Sequence, residues 1–137
     1  MPNRIFSTAE DRTISYIKTK KVLSRAKNHF GCESLEGVPL EYNGGPGTAG
    51  AHWSKRYMNT DYMIGDSYGE NLISDITLAL FEDSGWYKVN YFTGGLFKFG
   101  KNAGCDFLNL PCVQNGKPRN EKYYCSNNEA PTCLSDD

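Results

Sequence analysis

The chain has two histidines, His29 and His52, and histidine is the side chain best suited to acid–base chemistry and metal binding near neutral pH. His52 follows residues 44–50, whose sequence GGPGTAG contains too much glycine for a helix or a central strand. A histidine at the exit of such a loop can face a cavity instead of a core, although most isolated loop histidines are simply solvated. Met63 lies eleven positions after His52. Its simplest interpretation is a methionine that fills a gap in the core.

A catalytic zinc site needs more than one histidine. It uses three protein ligands, an open position for water and a carboxylate that takes up the proton. The efficient arrangement is His-Glu-x-x-His on one helix, because histidines at i and i+4 share a face. This motif is absent from the sequence, since His29 is followed by Phe, Gly and Cys. His29 falls in the last turn of a predicted helix, and we interpret it as structural or solvated.

Three separated blocks of the sequence together resemble the leishmanolysin family, which are metzincin-type zinc endopeptidases of cell surfaces and secretions. The blocks are residues 44–56 (GGPGTAGAHWSKR), the methionine at plus eleven, and residues 77–88 (TLALFEDSGWYK). The resemblance extends from about residue 17 to about residue 133. It implies that His52 is the third zinc ligand and that Met63 forms the Met-turn, an apolar floor beneath the metal.

The resemblance also implies a function. The chain would be part of a secreted or cell-surface zinc metalloendopeptidase, with a role in proteolysis and in cell adhesion. It would hold zinc only with ligands from outside the chain, so it contains no catalytic residue and is expected to be inactive alone. The expected partners are an upstream peptidase segment or another chain that carries His-Glu-x-x-His, and a peptide or protein substrate.

Whether the chain belongs to an active enzyme stays open at this point, because the base and two ligands are missing. One alternative is a non-catalytic structural or binding subunit, derived from the peptidase fold and working within a larger assembly. Another is a complete small disulfide-rich secreted domain without enzymatic ancestry. A His-Glu-x-x-His motif in a longer sequence would favour the peptidase.

The cysteine count is odd. Five cysteines in a chain of extracellular character mean a free thiol, an intermolecular bridge or absent partners. None forms a Cys-x-x-Cys pair, which disfavours a zinc knuckle or a thioredoxin-type redox site. The family resemblance implies that Cys32 pairs with Cys105. It also implies that three cysteines bridge to residues beyond the end of this chain: Cys112, Cys125 and Cys133.

Length and charge narrow the classes of function. The 137 residues suit one domain with a real core, and a net charge of −1 argues against a broad surface for nucleic acid or anionic membranes. No run of about 18 apolar residues predicts a membrane span. The polar N-terminus does not resemble a secretory signal. The cysteine content and the family resemblance nevertheless favour an extracellular or cell-surface location.

Hydrophobic periodicity predicts an α+β, loop-rich fold with two main helices and short strands. The resemblance makes it the disulfide-stapled C-terminal portion of a metzincin-type peptidase. The first helix covers residues 19–30. The second covers residues 72–84, where Asn71 or Ser74 could cap its start and Gly85 ends it.

Outside the helices the pattern predicts extended or irregular chain. Residues 13–17 alternate like a short strand, and Trp86, Val89 and Tyr91 suggest another extended segment. Residues 93–137 are expected to form a loop that is poorly ordered without disulfide bridges.

Two domains are predicted from this pattern and from the resemblance. Residues 1–110 are assigned to the C-terminal part of a zinc-peptidase catalytic domain, with the third ligand and the Met-turn. Residues 111–137 are assigned to the start of a truncated cysteine-rich domain.

Three further residues near Met63 receive no catalytic role. Asp61 and Asp66 are interpreted as turn residues, whose short side chains bond the local backbone. Gly65 stands two residues after Met63, where certain other metzincins have a tyrosine that acts as an extra ligand.

Overall fold

The computed structural model describes residues 3–7, 12–66, 71–94 and 96–124. Within these ranges the chain has the predicted α+β fold, with short strands, four α-helices and one disulfide. No helix in the described part is long and apolar enough to cross a membrane. The elements follow in chain order: β1 (Asn3–Ser7), β2 (Arg12–Ile17), α1 (Lys20–Phe30), β3 (Val38–Pro39), α2 (Lys55–Met58), α3 (Asp75–Asp83), a 3-10 helix (Tyr91–Gly94), α4 (Gly104–Asn109), β4 (Val113–Gln114) and β5 (Lys117–Pro118).

Helix α1 forms where the sequence predicts it, because Val22, Ala26 and Phe30 recur every four residues and are all buried. Its first turn carries lysines, which the helix dipole disfavours. The carboxylate of Asp83 compensates, since its Oδ2 accepts two of the first backbone N–H groups at 2.9 and 3.0 Å. The helix ends at Gly31, whose φ of 70° is left-handed.

Helix α3 begins at Asp75, three residues later than predicted. Ser74 is its N-cap, and the Ser74 hydroxyl accepts a first-turn N–H at 3.1 Å. Leu72 does not join the helix because its backbone pairs in parallel with Asp61. Ile73, which the prediction included in the helix, precedes it and is 43% exposed. The helix packs against α1, and Ile76 and Ala79 are among its buried residues.

The three-stranded antiparallel sheet has the order β1–β2–β3. The strand predicted at residues 13–17 is confirmed as β2, but β1 was not predicted. The residues of β1 include only two apolar side chains, which are adjacent instead of alternating. The pairing continues beyond β3, since Leu40 pairs antiparallel with Trp53 and Trp53 pairs in parallel with Ile64. This extension carries the candidate site.

The region after residue 93 is more structured than predicted. It contains α4 and the β4–β5 hairpin. It also adds four aromatic rings to the core that includes α1 and α3: Phe97, Phe99, Phe107 and Tyr123. Periodicity did not reveal them, because most come from irregular segments. The part of the loop prediction that covers residues 125–137 lies outside the described residues.

The extended segment predicted around Trp86, Val89 and Tyr91 is wrong at its end, where Tyr91 opens the 3-10 helix. The Tyr91 hydroxyl donates a hydrogen bond to the carboxylate of Glu82 on α3. The guanidinium of Arg25 lies 3.7 Å above the Tyr91 ring. These contacts hold the chain at Tyr91 against α3, whereas an extended strand would lead away from that helix.

Cys32 and Cys105 form a disulfide, as the resemblance implied, with Cα atoms 4.9 Å apart. Cys32 directly follows the end of α1, and Cys105 lies in α4. The bond therefore joins the N-terminal helix to the aromatic C-terminal part of the core.

Candidate metal-ligand site

The glycine-rich loop before His52 closes on its own ends. The Gly50 N–H donates to the Glu41 carbonyl at 2.8 Å, and the Glu41 N–H donates to the His52 carbonyl at 2.8 Å. Between them the chain turns sharply, with Gly45 at φ 69° and Gly47 at φ 91°. Only glycine adopts such left-handed backbone without strain, so the composition of this loop is a requirement of its shape.

The imidazole of His52 is half-buried and held by the same loop. Its Nδ1 lies 3.3 Å from the carbonyl oxygen of Thr48. A carbonyl only accepts hydrogen bonds, so this contact is a hydrogen bond when Nδ1 carries the proton, and in the neutral imidazole the lone pair is then on Nε2. Histidines that bind metals commonly donate their second ring N–H to a carbonyl in this manner. The orientation of His52 therefore fits one metal-ligand position.

Met63 lies on the segment next to His52. The N–H of Trp53, the residue after His52, donates to the Met63 carbonyl at 3.0 Å. The Met63 side chain is half-buried and packs against the core. The pairing brings together the two residues that the sequence singled out. Their roles as third ligand and Met-turn stay predictions.

Gly65 approaches the site closely. A Cβ atom at Gly65 would lie 2.6 Å from Cγ2 of Thr48 and 3.7 Å from Cγ of His52. The first distance is shorter than real Cβ contacts allow. From the sequence, Gly65 was notable only because certain other metzincins have a tyrosine ligand at this position. A side chain at this position would therefore force the Thr48 methyl group, next to the carbonyl that contacts the imidazole, to shift.

Sequence reasoning missed the importance of Asp61, which is completely buried. The Asp61 carboxylate does bond the local backbone, as predicted, because it accepts the Met63 N–H at 2.8 Å. It also accepts the Ser74 N–H at 3.1 Å and the Thr77 hydroxyl at 2.9 Å, both across a tertiary contact. The available signal was Thr77, a polar residue on the apolar side of a helix. Asp66 instead binds the ammonium group of Lys55 at 2.7 Å.

His29 has a structural environment. Its Nε2 lies 2.8 Å from the Phe99 carbonyl, and its ring packs against Phe30 and Phe97 with centroids 5.0 and 4.9 Å away. Burial lowers the pKa of His29 below its usual value, and the neighbouring Lys101 charge lowers it further. The interpretation of His29 as structural agrees with these contacts.

The described residues do not complete a metal site. Among residues 3–7, 12–66, 71–94 and 96–124, no group of three or more His, Cys, Asp and Glu side chains is placed to hold a metal ion. A zinc site with an open position needs three protein ligands.

A cavity of about 560 Å³ is formed by other parts of the chain. Its walls include side chains from β2, from α2 and from the C-terminal aromatic residues, among them Tyr16, Tyr57 and Tyr124. His52 is not among its lining residues, so this is not the concavity expected beside the predicted ligand. Burial raises the pKa of Tyr57 and of Tyr124, so both phenols stay neutral at physiological pH.

Cys112 is the free cysteine of the described part of the chain. Its Sγ accepts a hydrogen bond from Nε of Arg56 at 3.0 Å. Cys125 and Cys133 lie outside the described residues. The bridges implied for these three cysteines stay predictions.

Known proteins are similar to this chain in sequence. The family model Peptidase_M8, described as leishmanolysin, matches residues 5–137. The chain is 37% identical over 121 residues to a leishmanolysin-like peptidase of Drosophila pseudoobscura pseudoobscura, and 39% over 120 residues to one of Caenorhabditis elegans. It is 38% identical over 117 residues to a leishmanolysin homolog of Crithidia fasciculata.

These three matches cover 85%, 88% and 85% of this chain, respectively, but only 18% of each relative. The chain thus spans less than a fifth of the length of the relatives it matches. The family that the motifs around His52 and Met63 suggested is confirmed. The chain belongs to the leishmanolysin family of peptidases.

Proposed function

We propose that this chain supplies the third zinc ligand, His52, and the Met-turn methionine, Met63, to a zinc metalloendopeptidase. The observation that carries the proposal is the 3.0 Å hydrogen bond from the Trp53 N–H to the Met63 carbonyl, which sets the two residues on adjacent segments. The contact between Nδ1 of His52 and the Thr48 carbonyl supports it, because it leaves Nε2 as the donor atom. Membership of the leishmanolysin family supports zinc as the metal.

The other parts of the active site come from outside this chain. His52 is one of three ligands, so two more ligands and a general base must be supplied by a His-Glu-x-x-His segment. That segment would lie upstream in a longer polypeptide or on another chain. A bound zinc ion supplies Lewis-acid chemistry to peptide hydrolysis. The chain by itself would have no peptidase activity.

The residues of this chain then have holding and orienting roles. The glycine loop gives the Thr48 carbonyl its position, and that carbonyl orients the imidazole of His52. Residues 1–110 would form the C-terminal part of the catalytic domain, and residues 111–137 would begin a cysteine-rich domain. The substrate would be a peptide or protein. The disulfide between Cys32 and Cys105 supports an extracellular or cell-surface location, where roles in proteolysis and cell adhesion would be exercised.

A second candidate is a non-catalytic binding or structural subunit. It is favoured by large apolar side chains that are exposed on the described surface, above all Trp86 (85%), Phe92 (92%) and Leu96 (69%). Exposed apolar surface of this kind is commonly covered by a partner protein. The two candidates differ in whether the site around His52 binds zinc.

The test uses a chimera in which this chain replaces the matched 120 residues of the Caenorhabditis elegans relative. Zinc content and peptide cleavage are measured for the chimera, for His52→Ala and for His29→Gln. His52→Ala should lose most of the zinc and nearly all cleavage, because affinity depends on the full ligand set. His29→Gln is the matched control, since glutamine can still donate to the Phe99 carbonyl.

Equal zinc content and cleavage in His52→Ala and the parent chimera would overturn the proposal. A chimera that unfolds cooperatively on heating, yet binds no zinc, would favour the non-catalytic subunit. Loss of zinc in both histidine variants would point to a general loss of structure, which the thermal transition of each variant detects.

A further inference from the structure

Four residues beside the candidate site form a closed ring of hydrogen bonds. The Met63 N–H donates to Oδ1 of Asp61 at 2.8 Å, and the Met63 carbonyl accepts the Trp53 N–H at 3.0 Å. The indole Nε1–H of Trp53 donates to the Thr77 hydroxyl at 2.9 Å. The Thr77 hydroxyl donates to the Asp61 carboxylate at 2.9 Å and closes the ring. Each member thus contacts two others.

Three of the four members of the ring lie in the interior. Trp53 and Asp61 are fully buried, and Thr77 is 2% exposed. Buried polar groups that lose a partner are costly, so a network in which every member is bonded is held rigidly. The ring therefore has little freedom to shift unless the core opens.

Asp61 must accept hydrogen bonds on both of its oxygens. Oδ1 faces the Met63 N–H, and Oδ2 faces the Ser74 N–H at 3.1 Å. An asparagine would place its NH2 group opposite one of these donors and leave that buried N–H without an acceptor. The position is therefore specific for a carboxylate, beyond the turn-forming property that the sequence suggests.

We infer that Asp61 and Thr77 are positioning residues of the zinc site, an inference that rests on the proposed function. His52 is bonded covalently to Trp53, which the ring holds at both its backbone N–H and its indole. Met63 is held at both its N–H and its carbonyl. On its other side His52 is held by the glycine loop, through the Glu41 N–H at its carbonyl and the Thr48 carbonyl at its ring. Thr77 from helix α3 and Asp61 from the turn after α2 thus fix the distance between His52 and Met63, without touching the metal themselves.

The first experiment uses the 137-residue chain and three substitutions on α3. Thr77→Val keeps the side-chain shape but can neither accept from the indole nor donate to Asp61. Thr77→Ser keeps the hydroxyl and is the conservative rescue. Ile76→Val is the matched control, because Ile76 is 1% exposed on the same helix and has no polar side-chain atom. Global stability of each variant is measured by urea unfolding.

The readout is native-state amide hydrogen exchange of Trp53 and Met63, measured by NMR. At equal global stability, both amides should exchange at least about tenfold faster in Thr77→Val than in Ile76→Val, since local opening sets these rates. Thr77→Ser should remain within a few-fold of the parent. Equal exchange in Thr77→Val and Ile76→Val would overturn the inference, because Thr77 would then act through stability alone.

A measurement without mutation keeps the inference testable if Thr77→Val does not fold. In the unmodified chain, the Trp53 and Met63 amides should exchange as slowly as the slowest amides of α3. Exchange of the Met63 amide as fast as the amides of residues 44–50 would show that the ring does not hold Met63, and would overturn the inference.

The second experiment connects the ring to zinc. In the chimera described above, zinc release to a chelator should be about tenfold faster in Thr77→Val than in Ile76→Val, because groups that orient metal ligands change affinity by about 10–100-fold when removed. The kcat of Thr77→Val should fall while its KM stays nearly unchanged. Thr77→Ser should restore the parent values of the zinc-release rate and of kcat.

His52→Ala in the same chimera separates the two possible failures. If His52→Ala loses zinc while Thr77→Val releases zinc like Ile76→Val, the inference is wrong and the proposed function stands. If His52→Ala keeps its zinc, the proposed function is wrong and the positioning role falls with it.

Discussion

The backbone N–H of Trp53 donates to the carbonyl of Met63 at 3.0 Å, so residues separated by ten positions lie on neighbouring segments. The chain between them makes the one-turn helix α2 and then reverses at Thr60, whose φ of 73° is left-handed. The spacing of eleven between His52 and Met63 is therefore the length of one helical turn plus a reversal.

Gly65→Ala should destabilise the chain by about 1–3 kcal/mol, the usual cost of overpacking. The new Cβ would lie 2.6 Å from Cγ2 of Thr48, and Thr48 is held in place by the loop. Thr48→Ser removes that methyl group, so Gly65→Ala with Thr48→Ser should recover most of the loss. Urea unfolding of both single variants and the double variant measures the coupling. Additive losses in the double variant would show that the contact is not the cause.

Replacing Cys32 and Cys105 together by alanine should lower the free energy of unfolding by about 4 kcal/mol. The disulfide closes a loop with a sequence separation of 73, and the chain-entropy model gives about this value for such a loop. Alanine is used instead of serine because residue 32 is only 2% exposed, and serine would bury a hydroxyl there. The free energy of unfolding of the parent chain, measured in the presence of a reducing agent, should match that of the double variant. A parent chain that is equally stable in reducing and oxidising buffer would contradict the prediction.

Arg56→Met should destabilise the chain by about 2–3 kcal/mol, since hydrogen bonds to charged groups contribute about 1.5–3 kcal/mol. The Arg56 guanidinium donates to the carbonyls of Phe107 (3.1 Å), Leu108 (3.2 Å) and Leu110 at the end of α4. These carbonyls have no partner within the helix. Arg56→Lys should recover only part of the loss, because one ammonium cannot reach all three. If Arg56→Lys has the full stability of the parent chain, a positive charge alone is sufficient, and the several N–H donors of the guanidinium are not needed.

Stability should fall as the pH is lowered from about 7.5 to about 5.5, and His29 should account for part of the fall. Burial lowers the folded-state pKa of His29, whereas the unfolded chain has the ordinary value of about 6.5. Below that value the unfolded state binds more protons than the folded state, so protonation favours unfolding. His29→Gln should flatten the curve of unfolding free energy against pH. An unchanged slope in the variant would assign the pH dependence to other groups.

The sequence was sufficient for features that depend on short-range pattern. Helix α1 was predicted within a residue because Val22, Ala26 and Phe30 repeat every four residues and Gly31 ends them. The family was readable because its motifs are local, with fixed spacings from His52. The pairing of Cys32 with Cys105 followed from that family, since no local rule chooses among five cysteines.

The sequence failed where distant contacts override local preference. Leu72 has helical periodicity, yet it pairs with Asp61 and delays the start of α3. The aromatic residues after residue 93 have no regular spacing, but Phe107 meets Phe99 and Tyr123 edge-to-face in the core. Their burial comes from packing against the rest of the fold, so no pattern within their own segment could show it.

The sequence by itself determined the family, two helices and the two residues, His52 and Met63, on which the proposed site depends. Only the tertiary structure decided that Asp61 is an interior acceptor instead of a solvated turn residue. Its partners, Ser74 and Thr77, lie 13 and 16 positions away, and nothing in the spacing requires them to meet it. They meet because the parallel pairing near Leu72 brings the start of α3 against the Met63 segment, where a buried carboxylate is stable only with every acceptor bonded.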